Sequence, residues 1–404
     1  AISSPYPYIQ TLDLLQQNYL VNGEFLTYAS VSAPTAGNFT WETVVHGNLG
    51  LDLGFFNNRL TFAGDLYIRD TKDMLVPGKT LPGVYGAASP KENAADLRTK
   101  GYELTLSWND KFNLAGKPFT YGVSLALGDN ISKITKYDNP TKDFNVSQYY
   151  EGTIGEIWGY KIDGLFKTDE EAAAYQAEID HSLIAKNILQ TATGKYKGLK
   201  AGDPKFVDLD GNGRIDDGEK TANNRGDMRV IGNSRPRYNY SGSINLGWNG
   251  FDISAFFQGV GRQHRYPDGN AMLFWGGYAR PYSSFVPEHF LDDVWSEDNP
   301  DAYFPKLRGY AAQGDRHLAK VNNRYLQNTA YCRLKNLTVG YTLPVDLTRK
   351  ARIDRVRVYF SGDNLVTWTA LKSKYIDPEQ FSTDGSARVY PFAKTFSFGL
   401  DITF

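Results

Sequence analysis

From Phe206 to Glu219 the chain reads Phe-Val-Asp-Leu-Asp-Gly-Asn-Gly-Arg-Ile-Asp-Asp-Gly-Glu. Asp208, Asp210 and Asn212 alternate with small or apolar residues, and Gly213 follows where a sharp turn needs positive φ. Hard oxygen donors at this spacing, closed by an acid at Glu219, fit a calcium-binding loop. The expected ligands are Asp208, Asp210 and Asn212, the backbone carbonyl of Arg214, Asp216 through water, and bidentate Glu219. The competing reading is an acidic, Gly-rich turn that holds no metal. Other acids do not form a catalytic pair: Asp292/Asp293 and Asp216/Asp217 are sequence neighbours in polar stretches, which read as solvated. No Ser-His-Asp order, nucleophile elbow, phosphate-binding Gly loop or HExxH spacing occurs, so no enzyme is expected.

The elements that carry this loop are strands. Leu49, Leu51, Leu53 and Phe55 alternate with polar or small residues, and after Asn57-Asn58 the alternation resumes through Leu60, Phe62, Leu66 and Ile68. It returns over 101–108, 121–127, 238–248, 251–256, 337–343, 356–360 and 396–404, so about nine to eleven strands are expected. The first forty residues show no clear period. Long connections fall at 70–97, 129–150, 164–236 and 262–328. Within 164–236, Thr168-Asp-Glu-Glu171 is a capping box, and Ala172, Ala173, Ala174, Tyr175, Ile179 and Ile184 follow at mostly helical spacing. The calcium loop lies in the same insertion, where an ion would cross-link chain that buries little apolar surface.

Composition agrees with β structure. The 404 residues include 27 Tyr, 23 Phe and 39 Gly but only 3 Met. A net charge of −1 gives no argument for nucleic acid or for an anionic membrane surface as a partner, and no nucleic acid is expected. Cys332 stands alone, which excludes an intrachain disulfide framework. No run reaches about 18 apolar residues, so no transmembrane helix is expected. The start, Ala1 to Tyr8, has no basic or apolar signal region, and reads as a mature segment or a piece of a longer chain.

Alternation alone does not say what the apolar face meets. A soluble sandwich turns it inward; a membrane barrel turns it to lipid. Three features favour the barrel. Aromatic residues (Trp41, Trp108, Tyr121, Tyr238, Trp248, Tyr341) gather near strand ends, as an interfacial girdle requires. Tight connections such as Asn57-Asn58 and Asn249-Gly250 contrast with the long ones. The last strand closes on Phe404. Asp65, Arg69, Glu103, Arg355 and Arg357 then fall on the polar, lumenal side, as transport-path charges or as structural ion pairs. In 262–328, Phe274, Trp275, Tyr278, Tyr282 and Trp295 are candidates either for loop packing or for stacking on a sugar. Of these, Trp275, Tyr278 and Tyr282 are the candidate substrate-binding residues. Trp158 and Tyr160 read as packing or girdle residues.

These residues also resemble a family. The stretches Gly54–Phe62, Asp65-Leu-Tyr67, Leu97–Leu104, Gly202–Gly213, Ile231–Tyr238, Phe251–Gly261, Tyr325–Tyr331, Arg333–Pro344 and Lys394–Phe404 are similar, in order, to the C-terminal part of SusC/RagA-type TonB-dependent outer-membrane transporters of Bacteroidota. The resemblance implies an all-β fold: part of a large transmembrane antiparallel barrel of about 22 strands with long extracellular loops. It implies import of oligosaccharides, or of peptides in RagA-like members, driven by TonB with ExbB/ExbD. A SusD-like surface lipoprotein and a dimer of transporter–lipoprotein pairs are further implied partners. The TonB box, plug and first barrel half have no counterpart in residues 1–404, so the chain reads as part of a longer polypeptide, since open edges do not stand in lipid. A soluble, calcium-dependent carbohydrate-binding or adhesion module is the alternative from another class.

Overall fold

The computed structural model describes residues 9, 12–31, 33–34, 37, 39–78, 82–86, 89–137, 142–144, 151–185, 198–282, 284, 286, 288–314, 316–383 and 392–404. Parts of the expected long connections (79–81, 138–141, 145–150 and 186–197) lie outside them.

Two strands, β1 (Leu12–Val21) and β2 (Glu24–Val31), form a hairpin in a region that shows no clear period. Leu14-Leu15 and Gln16-Gln17 break the alternation, and the pairing accommodates this by a register shift between Gln16 and Leu20. The turn is Asn22-Gly23 with both φ positive, as a two-residue hairpin turn demands.

The main body is one antiparallel sheet. Its strands are β3 (Thr43–Phe55), β4 (Leu60–Pro77), β5 (Lys91–Leu114) and β6 (Lys117–Tyr137), then β11 (Arg237–Trp248), β12 (Phe251–Arg262), β15 (Tyr331–Thr342), β16 (Arg355–Thr369) and β17 (Thr395–Thr403). These nine pair strictly in chain order, and the sheet ends at β3 and β17 without closing among the described residues. One end of the sheet carries tight turns, at Asn57-Asn58, Ala115-Gly116 and Asn249-Gly250, all with positive φ. The long connections leave from the other end.

The strands β4, β5 and β6 run longer than alternation suggests. Pairing continues to Pro77↔Lys91 and Ala95↔Tyr137 across register shifts near Thr71/Met74 and Asp96/Leu97. A shift resets which residues face which way, so the sequence period breaks while the ladder does not.

The connections hold a layer of their own. Short strands β7 (Glu156–Gly159) and β10 (Arg229–Asn233) pair, as do β8 (Ile162–Leu165) with β9 (Pro204–Phe206), and β13 (His264–Arg265) with β14 (Gln327–Asn328). Helix α1 (Asp169–Glu178) begins at Thr168, whose Oγ1 accepts the Glu171 N–H at 3.1 Å. Glu171 Oε2 reaches back to the Lys167 N–H at 2.8 Å, one residue earlier than the standard box. The helix is shorter than the spacing of Ile179 and Ile184 suggests: Ile179 is extended, and Ile184 belongs to a separate turn, Ser182–Ala185.

The hydrophobic core lies in this loop layer and not in the sheet. Tyr160, Ile162, Phe206, Ile215, Phe274, Trp275, Tyr278, Phe290, Phe304, Leu318 and Tyr325 form one buried cluster. On the sheet the large apolar residues are exposed instead: Leu49 at 70 %, Leu66 at 57 %, Phe398 at 85 %. Register shows that they share one face, through Leu49↔Leu66 and Leu53↔Phe62↔Leu106↔Leu125.

His317 is buried in the loop layer, and neither ring nitrogen has a hydrogen-bond partner. Burial, with help from Arg308 and Arg316, pushes its pKa down to about 3. The folded imidazole is therefore neutral while the unfolded one protonates near pH 6.5. Below that pH the unfolded state binds the extra proton, so folding stability falls by about 1.4 kcal/mol per pH unit until about pH 3. His317→Leu is expected to flatten this acid slope in pH-dependent denaturation of the loops; an unchanged slope would assign it to other groups.

Candidate metal loop and lumenal face

The acidic loop is built on the loop-layer core. Strand β9 delivers the chain at Phe206, and Val207 N–H donates to Lys161 O at 3.0 Å. Buried Ile215 anchors the far side, where Asp180 N–H donates to Gly213 O at 2.8 Å and Ile215 N–H donates to Asp180 O at 2.9 Å. Gly211 and Gly213 take φ of +75° and +80°, and the turn folds back on its own carboxylates. Asp208 accepts the N–H groups of Gly211 and Gly213 at 2.7 and 2.8 Å, and Asp210 accepts that of Asn212 at 3.1 Å. Asn212 Oδ1 accepts the Arg214 N–H at 2.9 Å.

The carboxylates brought together are Asp208, Asp210 and Asp227, whose oxygens lie within 4.8 Å of one another. Asp227 is not among the ligands expected from the sequence, because it lies beyond the template. It is fully buried and accepts the Leu209 and Asp216 N–H groups at 2.6 and 2.9 Å. Burial raises its pKa; the two backbone donors oppose that, and the charges of Asp210 and Asp208 raise it further. Asp208 moves the other way: burial acts upward but is outweighed by backbone donors, those of Gly213 and Gly211 first.

Glu219 and Asp216 do not join this group. Glu219 is exposed, and its N–H is tied to Asn224 O at 3.0 Å. Asp216 is held by Asn212 Nδ2 at 3.1 Å, Arg214 Nε at 3.1 Å and the Gly218 N–H at 2.9 Å. The chain turns at Gly218 and returns past Gly226, so closely that a Cβ on Gly218 would lie 2.7 Å from the Gly226 N. That return brings Asp227 beside Asp208 and Asp210. The donor set suits a hard dication: three carboxylates, one fully buried, with Arg214 and Lys220 turned to Asp216 and Asp217 instead.

Two of the aromatic candidates move to the core. Trp275 and Tyr278 are fully buried, Trp275 packs edge-on against Phe274 and Tyr325, and Tyr278 stacks on Phe304 with its hydroxyl bonded to Pro305 O. No ring face remains for a sugar, so the expectation of substrate contact is corrected for both. A loop without period gives no sequence signal of which side is inside. Tyr282, at 77 % exposure, keeps a free face beside Tyr310. Tyr160 is a core residue, and Trp158 lies parallel to Phe144 at 4.4 Å.

The face of the sheet opposite the exposed apolar residues is polar. Register places Asn48, Asp65, Tyr67, Arg69, Glu103, Ser107, Ser124, Ser243, Ser254, Thr338, Ser361 and Asp401 on it. These groups bond across strands: Asn48 Nδ2 to Asp65 at 3.0 Å, Ser107 to Ser124 at 2.7 Å, Thr338 to Ser361 at 3.0 Å. Near the tight-turn end Arg357 forks onto Asp252 at 3.0 and 2.6 Å and reaches Asp401 at 3.2 Å. Arg355 shares this face by register. At the loop end Arg333, 1 % exposed, bonds Asp377, Glu379 (2.9 Å) and Thr367 Oγ1 (2.8 Å), and Lys335 joins Glu379 at 2.7 Å. Such a sheet has the polarity of a water-filled barrel seen from inside.

Comparison with known proteins agrees with this polarity. Residues 8–184 match the family described as TonB dependent receptor-like, beta-barrel. TonB-dependent receptor P3 of Formosa agariphila is 29 % identical over 430 residues, covering 99 % of this chain and 38 % of the relative. TonB-dependent receptor SusC of Bacteroides thetaiotaomicron is 27 % identical, covering 96 % of this chain and 35 % of the relative. The chain thus spans little more than a third of the length of these curated relatives. Among solved structures, the RagAB peptide importer in its open-open state superposes with a TM-score of 0.66 at 21 % identity, over 99 % of this chain and 38 % of that one. With apolar residues on one face, a polar ladder on the other and an ordered loop layer, the chain has the build of a stretch of β-barrel wall, and it is similar along nearly its whole length to TonB-dependent receptors, with residues 8–184 matching their barrel.

Proposed function

We propose that this wall belongs to an importer that passes an oligomeric solute across the outer membrane, with no bond made or broken. The observation that carries the reading is the inverted sheet: apolar residues outward, cross-strand polar bonds inward. Oligosaccharide is the first solute class, supported by similarity to a receptor named SusC along nearly the whole chain. Peptide is the second, supported by the likeness to a structure titled a peptide importer. Energy from TonB with ExbB/ExbD, a SusD-like lipoprotein above the loops, and pairing of two such assemblies complete the proposal. Tyr282 is the exposed ring offered to solute or lid. A strain lacking the gene is expected to lose growth on one glycan or peptide class as sole nutrient. Unchanged growth and uptake across both panels would sink the reading.

The acidic loop is proposed as a calcium staple with Asp208, Asp210 and Asp227 at its centre and Asn212 and the Arg214 carbonyl beside them. Among the described residues it lacks a pair of packed flanking helices that an ion would open, so its role is static. Asp227→Asn combined with Asp208→Asn is expected to abolish bound calcium in the purified protein, measured by metal analysis, and to raise protease cleavage within 198–236. Glu219→Gln is expected to leave calcium content nearly unchanged, the reverse of the template expectation. Full calcium in the double variant would refute the site.

A further inference from the structure

The outward face of the sheet changes character at the loop end of three neighbouring strands. Ile68, Lys100 and Ile131 stand side by side on β4, β5 and β6, and the next outward row is Asp70, Arg98 and Lys133. Lys72 on β4, opposite Thr43, and Lys136, opposite Asp96, extend it further. Asp70 is engaged by Arg98 through two bonds of 2.6 and 2.7 Å. Asp96 accepts the Asp73 N–H at 3.0 Å. Lys72, Lys100, Lys133 and Lys136 are exposed and have no ion-pair partner among the described residues. The row therefore carries a cationic surplus, directly beyond Ile68 (45 % exposed) and Ile131 (40 % exposed) of the apolar band. Outward positions at the same end of β15 and β16 are Cys332, Leu334, Val366 and Trp368, so the charged row does not extend to these two strands.

We propose that this lysine row is a binding site for phosphate groups of anionic lipid in the outer leaflet. The inference rests on the apolar band lying in a bilayer. Residues continuous with that band and just beyond its loop-side margin then stand at headgroup height, where an ammonium meets a lipid phosphate without leaving water. Lysines that served only solubility would not need to share one face of three paired strands. The site is independent of which solute passes through the lumen.

The test uses the full-length protein, extracted in mild detergent and stripped of lipid. It is mixed with micelles carrying a phosphomonoester lipid, phosphatidylglycerol or phosphatidylcholine, and bound lipid is counted by native mass spectrometry. The unaltered protein is expected to prefer both anionic lipids over phosphatidylcholine by about tenfold or more, less so as salt rises. Changing Lys72, Lys100, Lys133 and Lys136 together to Gln is expected to remove the preference, and changing them to Arg to keep it. Undiminished anionic binding in the Gln variant overturns the proposal. So does loss of a co-purifying protein with the lipid complement intact, which would assign the face to a protein partner. If the quadruple variant does not assemble, single Lys100→Gln and Lys133→Gln variants are each expected to weaken anionic-lipid binding by about fivefold; no change in either overturns it.

Discussion

Replacing Arg333 with methionine is expected to cost about 3–5 kcal/mol in attachment of the segment 371–383. The guanidinium is 1 % exposed and neutralises Asp377 and Glu379, which the segment carries onto the lumenal face. Without it, Lys335 on the same strand still pairs with Glu379, while Asp377 loses its ion-pair partner. Asp377 also accepts the Glu379 N–H at 3.0 Å, a bond within the segment that does not tie it to the wall. Fully buried Phe381, with Tyr375 and Ile376 packed on the loop-layer core, remains as the apolar anchor. The measurement is limited proteolysis: cleavage within 371–383 should rise sharply while the barrel band on a gel stays folded. Arg333→Lys should recover only part, because an ammonium cannot fork onto two acids. Adding Asp377→Asn to Arg333→Met should restore some stability, since it removes the unpaired charge while Glu379 keeps Lys335 as its partner. Wild-type protease resistance in Arg333→Met would show that the ion pairs contribute nothing.

The second large effect is expected at Phe304. This ring is 1 % exposed and contacts Phe274, Trp275, Tyr278, Phe290, Tyr303 and Tyr325. Truncation to alanine removes the hub of the aromatic cluster and leaves a cavity, at a cost of about 3–5 kcal/mol. The loss should fall on the loop layer. Denaturation followed by loop tryptophan fluorescence should shift, while the strand signal in circular dichroism should not. A shift of both together would show that layer and wall melt as one unit.

Much of the wall is legible because a strand with unlike faces writes itself as alternation, as in Leu49-Gly-Leu-Asp-Leu53. The aromatic ends and unequal turns point to which face meets lipid, and the exposed Leu49, Leu66 and Phe398 agree. Legibility fails where local rules are overridden. The β1–β2 hairpin carries Leu14-Leu15 and Gln16-Gln17, a pattern rescued only by an irregular register. Strand ends past Thr71 and Asp96 hide behind similar shifts. At the acidic loop, the motif locates Asp208 and Asp210, but Asp227 reaches them through a chain reversal that no fixed spacing encodes. For Trp275 and Tyr278 the sequence leaves loop packing and ligand contact both open, because aromatic content is visible there and burial in an aperiodic loop is not.

The strict chain-order pairing of the sheet has a consequence for how such proteins diversify. Between β6 and β11 the chain contributes β7, β8, α1 and β9 to the loop layer, yet Asn239 returns to face Gly128 and Trp248 to face Phe119 in an unbroken ladder. The pairing of these two strands continues past the insertion, whose Tyr160, Ile162, Phe206 and Ile215 pack into one core with Phe274, Trp275 and Tyr325 of the later connection. The two connections are therefore free to change only together, as one packed layer, while the strands below keep their pairing. Change in the packed loop layer is thereby uncoupled from the pairing of the strands that carry it.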